Sequence, residues 1–99
     1  MSMIHPSTRE DQEWRRLMIG TQTGEASSFA QLIRAVTPFL RSVARKRLRK
    51  PNQAERAAQS ALVTIHGQRH AYDPKSPIVP WLKSIAEAEA QRFAAAAAR

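Results

Sequence analysis

Arg41, Arg45 and Arg49 recur at four-residue spacing, which would place three guanidinium groups along one side of a helix. Guanidinium forks match phosphate oxygens, so one reading of this face is contact with a nucleic-acid backbone. The other is a solvated face, with cations held favourably near a helix C-terminus at Lys50-Pro51. His66 and His70 also stand four apart, a spacing at which two imidazoles on one helix can hold zinc. No third ligand of matching geometry accompanies them, and the helix is expected to end between them, so they read as a surface pair. No nucleophile with an adjacent base, paired carboxylates or glycine-rich phosphate loop is present, and an enzyme is the least supported class. Nothing calls for a metal or other cofactor. Cysteine is absent, which removes disulfides and cysteine-based zinc sites and fits a reducing cytoplasm.

The elements that must position these residues are helical. Apolar residues recur at steps of three and four, and sustained alternation is missing. The expected fold is all-α, a bundle of about four helices, with residues 1–10 as a flexible leader and 11–99 as one domain. The first helix begins at Ser7 or Asp11 and ends at Gln22, with Trp14, Leu17 and Met18 on one face and Gly24 placed to stop it in a left-handed cap. The second begins near Ala26 and carries a stripe of Phe29, Leu32, Ile33, Val36, Phe39, Leu40, Val43 and Leu48. Pro38 interrupts it: either Thr37 caps a new helix there or the helix kinks. Pro51 ends that run. Asn52 is the expected N-cap of the third helix, with Glu55 at capping-box spacing. Alanines at 54, 57, 58 and 61 line it with Leu62 and Ile65, allowing close helix approach. A loop from Gly67 to Pro80 is stiffened by Pro74, Pro77 and Pro80. The fourth helix starts at Pro80-Trp81, with Trp81, Leu82, Ile85 and Phe93 toward the core, and ends in an alanine run, Ala94 to Ala98, that either extends it or frays.

Length and charge narrow the class. The 99 residues suit one domain with a limited core. Sixteen Lys and Arg stand against eight Asp and Glu, a net charge of +8. A field of that sign favours nucleic acid, an acidic protein or an anionic membrane surface. No apolar run reaches membrane-spanning length, and the N-terminus lacks the basic and apolar blocks of a secretory signal.

Several short motifs now fall into order. Gly24-Glu25-x-x-Ser28-Phe29 resembles Gly-Asp-x-x-Ala-Phe of bacterial sigma factors of the small extracytoplasmic-function type. Pro38-Phe39-Leu40-Arg41-Ser42-Val43-Ala44 is similar to their Pro-x-Leu-x-x-Leu-Ala. Ala54-Glu55 and Gln59 fall where that family has Ala-Glu-Asp-Leu-Val-Gln-Glu. The segments Arg69-His70-Ala71-Tyr72-Asp73-Pro74 and Pro80-Trp81-Leu82-x-x-Ile85-Ala86 resemble the loop and the start of the DNA-facing helix. The chain is thus similar to sigma region 2 from about Glu13 to Phe93.

That resemblance implies a transcription-initiation domain. It would engage the clamp of core RNA polymerase through Glu55, Gln59 and Leu62, and hold the melted non-template strand of the −10 element. Tyr72 would contact a base and Lys75 a phosphate, with Ser76, Trp81 and Lys83 beside them and Arg41 and Arg45 on the backbone. Tyr72 has an alternative reading, a ring packed beneath its own loop, and Trp81 one as core at the helix start. The chain also departs from the family pattern. Gln53, Arg56 and Ser60 stand where acidic residues are usual, and Glu87 and Glu89 put negative charge on the DNA-facing helix. These departures carry a second reading, a sigma-like module that binds an anti-sigma factor or another regulator without initiating transcription.

Overall fold

The computed structural model describes residues 5–97, which form four α-helices and one short 3-10 turn with no strand among them. In chain order these are α1 (Thr8–Gln22), α2 (Ala26–Arg45), α3 (Pro51–Gly67), the 3-10 turn (Arg69–Ala71) and α4 (Ile78–Ala97). The expected all-α bundle is the observed architecture. None of the helices is long and apolar enough to cross a membrane.

Helix α1 opens on a reciprocal capping box. The Glu10 amide donates to Ser7 Oγ (3.1 Å) and the Ser7 amide donates to Glu10 Oε1 (2.9 Å). Thr8–Glu10 therefore belong to the helix rather than to a leader, and residues 1–4 of that expected leader lie outside the described residues. Gly24, at φ +89°, turns the chain after α1, a conformation that a side chain would oppose. Gly20 permits the α1–α2 crossing, since a Cβ there would lie 2.2 Å from Ser28 Oγ.

Helix α2 runs through Pro38 as one element. Thr37 does not cap a new helix; its hydroxyl donates back to the Ile33 carbonyl (2.5 Å). Leu32, Val36, Phe39, Leu40 and Val43 enter the main core with Trp14, Met18, Ile65 and Leu82, whereas Phe29 and Ile33 sit at its edge. Helix α2 stops at Arg45, and the chain turns through Lys46 to Lys50 with Leu48 buried.

Two helix starts differ from the sequence reading. Lys50, not Asn52, is the N-cap of α3, and no side chain caps it. Pro51 begins that helix instead of ending the previous run, because its fixed φ and missing N–H suit the first helical position. Helix α4 begins at Ile78, ahead of Pro80. Pro80 is tolerated there because the first-turn N–H groups have no carbonyl partner within the helix. The alanine run is helical through Ala97, and Ala98 lies outside the described residues.

Ala54, Ala57, Ala58 and Ala61 of α3 are all buried, which lets α2 and α4 approach α3 closely. A second small core joins Ala44, Leu48, Ala54, Ala57 and Ala90, with Phe93 partly covering it. The Arg56 guanidinium lies 5.8 Å from the centre of the Phe93 ring, a cation–π contact.

Candidate functional site

The loop between α3 and α4 is fastened at both ends by α1. Gln22, at the end of α1, donates its side-chain amide to the carbonyls of Arg69 (2.8 Å) and Tyr72 (2.9 Å). Asp11, in the first turn, accepts the amides of Ile78 (3.3 Å) and Val79 (2.9 Å). Those are the first two N–H groups of α4, and Pro80 has none, so a carboxylate from another helix caps α4 and meets its positive end. Replacing Asp11 with Ala should cost about 1–2 kcal/mol, the upper range for a lost cap. Urea denaturation measures this; a loss below a few tenths would mean that water replaces the carboxylate at no cost.

Inside the loop, Asp73 organises the tip. Its carboxylate accepts the Lys75 amide (3.0 Å) and the Ser76 hydroxyl (3.3 Å), an Asx turn. Tyr72 does not stand at the rim. It is only 2 % exposed, its hydroxyl donates to the Ser76 carbonyl, and its ring meets Trp81 at 5.3 Å between centroids. The expected base-contacting ring is a wedge beneath the loop, because a large ring at a chain reversal gains more from burial than from solvent. Desolvation raises its phenol above the ordinary range. Lys75 and Lys83 are exposed, and Ser76 and Trp81 are half-buried.

A second surface lies between α2 and α3. Phe29, Ile33, Gln59, Leu62, Val63 and His66 line an open, mostly apolar groove of about 360 Å³. Val63 is 74 % exposed, and Phe29 packs on His66 at 4.7 Å between rings. Gln59 donates to Glu55 Oε2 (2.9 Å) at the edge of this groove. Glu55, Gln59 and Leu62, assigned to polymerase contact from sequence, are thus gathered on one face. Arg41, expected on phosphate, donates Nε to Glu55 Oε1 at 2.5 Å and keeps 40 % of its side chain exposed. This contact, followed by that of Gln59, lowers the Glu55 carboxyl below the ordinary carboxylate range and raises Arg41. A residue placed on DNA and one placed on polymerase therefore bond to each other. Arg45, at the end of α2, is exposed.

The family model for sigma-70 region 2 matches residues 32–99, more than half of the chain. The chain belongs to the sigma-70 region 2 family. No curated protein and no solved structure matches it. The role that goes with this sigma domain is transcription initiation. The match takes in most of α2 and all of α3, the loop and α4, while α1 lies ahead of it.

Two departures of this sigma domain from its family pattern meet in space. Glu89, expected to point negative charge at DNA, is 3 % exposed and lies between α4 and α3. It accepts the Ser60 hydroxyl (2.7 Å), the Thr64 hydroxyl (3.0 Å) and Arg92 Nη1 (3.1 Å). A buried carboxylate needs such donors, and a hydroxyl rather than an acid at position 60 supplies one. Glu89 thus joins α3 to α4. His66 and His70 fall on different elements, α3 and the 3-10 turn.

Sequence reasoning missed Asp11, Gln22, the burial of Glu89 and most of the groove. Val63 was the available signal, since it breaks the Ala-Leu-Ile stripe of α3 and so had to face outward. Asp11 gave none: an acid in the first turn of α1 already has a local reason to be there.

Proposed function

We propose that this sigma region 2 domain is of the extracytoplasmic-function type. It works in the cytoplasm, docks on the clamp of core RNA polymerase through the α2–α3 groove and holds the unpaired non-template strand of the −10 element at the α3–α4 loop. The observation that carries this reading is the groove. An exposed Val63 beside Phe29, Ile33 and Leu62 offers an apolar seat for a partner helix, with Gln59 and Glu55 supplying a polar rim. Strand capture falls to the exposed Lys75 and Lys83 and the uncovered part of Trp81. A base stacked on an aromatic contributes about 1–3 kcal/mol. Tyr72 acts at one remove, by holding the loop and Trp81 in place.

Val63→Asp tests the docking face without touching the core. Binding to core polymerase should weaken at least tenfold, about 1.4 kcal/mol, because a charge would enter an apolar contact. Pull-down against core polymerase measures it, with circular dichroism to verify helix content. Full retention of binding would remove the groove from the interface.

One observation favours the second reading. Glu55 is the only acidic residue of α3, and Arg41 already neutralises it. A partner seeking negative charge on this helix would find little. Failure of the wild-type domain to retain core polymerase, together with tight capture of an anti-sigma factor, would make it a regulatory interaction module.

A further inference from the structure

Five cations, Arg45, Lys46, Arg47, Arg49 and Lys50, occupy the end of α2 and the turn into α3, and all are exposed. The ion pairs among the described residues involve Arg15, Arg16, Arg41 and Arg92, so none of the five has an acidic partner. The turn is held in shape. Leu48 is 4 % exposed and packs with Ala44, Ala54, Ala57 and Ala90, while the Lys46, Arg47 and Leu48 amides donate to the last carbonyls of α2. Arg47 Nη1 reaches the neutral Gln91 side chain of α4 (3.3 Å).

The helix dipole accounts for a cation or two in the last turn of α2, not for five in six residues, most of them past its end. Like charges so close repel one another, and a polyanion relieves that repulsion. We infer that the α2–α3 turn is a phosphate-backbone grip for duplex DNA, separate from the loop proposed to hold the melted strand. Three of the five are arginines, whose planar forks suit phosphate oxygens. The one apolar residue of the turn points inward, so the turn lacks the apolar face that membrane-surface segments insert. Lys46 lines one hollow together with Lys83 of α4, which makes the cationic surface continuous with the start of the helix that follows the loop. Such contacts position a duplex without reading its sequence. The inference takes from the proposed function only the choice of DNA as the polyanion.

The test uses the whole chain and a fluorescein-labelled duplex of mixed sequence lacking a −10 element, followed by anisotropy between about 50 and 200 mM salt. Wild type should bind, with log K falling linearly in log salt at a slope of roughly −0.9 per phosphate contact. Lys46→Gln/Arg49→Gln/Lys50→Gln should bind at least about tenfold more weakly at the lowest salt and lose roughly 2–3 from the slope. Arg45→Lys/Arg49→Lys, which retains the charge and guards against a folding artefact, should hold most of the affinity. An unchanged slope in the triple variant, or no duplex binding by wild type, overturns the inference. Unchanged DNA binding with lost retention on polyglutamate also overturns it, in favour of an acidic protein partner. The two proposals fail separately. Loss of duplex binding in the triple variant supports the grip whether or not wild type retains polymerase, and Val63→Asp should leave duplex binding intact.

Discussion

Tyr72→Ala is expected to lose about 3–5 kcal/mol of stability, the range for removing a large buried aromatic, out of a total of about 5–15 kcal/mol for a small domain. The ring is almost fully covered, its hydroxyl is bonded to the Ser76 carbonyl, and Trp81 rests on it. Truncation therefore opens a cavity, frees a loop carbonyl and releases the Trp81 side chain at once. Urea unfolding followed by tryptophan fluorescence measures the loss. A variant as stable as wild type that no longer captures single-stranded promoter DNA would return Tyr72 to the rim. Tyr72→Phe separates ring from hydroxyl and should lose only about 0.5–1.5 kcal/mol. The same burial has a pH signature. Desolvation raises the folded-state pKa above the unfolded value of about 10. The associated stability is therefore complete below the unfolded pKa and declines as pH rises toward the folded one. Tyr72 is the only tyrosine, so tyrosinate absorbance reports this group alone, and Tyr72→Phe should abolish that part of the alkaline loss.

Leu32→Ala should cost about 2–5 kcal/mol. Leu32 has no exposed surface and lies in the central cluster with Trp14, Met18, Val36 and Leu62. The spread reflects how far α1 and α3 can collapse into the vacated space, and the alanines of α3 leave few long side chains to fill it. At the upper end the domain unfolds at ambient temperature. Chemical denaturation decides the value, and a loss under about 1 kcal/mol would show that this position is loosely packed.

The stripe of α2, the alanine face of α3 and the glycine turn after α1 were legible because each depends on residues within a few positions. Leu32, Val36, Leu40 and Val43 repeat at helical spacing, and that spacing needs no knowledge of a partner. Errors arose where one residue type serves two local purposes. Pro51 stops one helix as readily as it begins the next, and the structure uses the second property. Asn52 has cap chemistry, but Pro51 ahead of it already opens α3. The candidate site was legible in outline only. Glu55, Gln59 and Leu62 were legible as one face because they follow one another on α3 at steps of four and three. The Arg41–Glu55 pair was not legible because its two members are on different helices, and Tyr72 was misplaced because the burial of a loop residue is decided by what packs over it. Glu89 read as a repulsive charge until Ser60 and Thr64 were brought beside it.

Asp11 and Gln22 both precede Leu32, where the family match begins. A protein trimmed to that boundary would keep the whole segment that the family model matches and lose both clasps of the α3–α4 loop. The leading helix, invisible to the family comparison, is therefore the buckle of this domain, and expression boundaries drawn from homology alone would leave it unfastened.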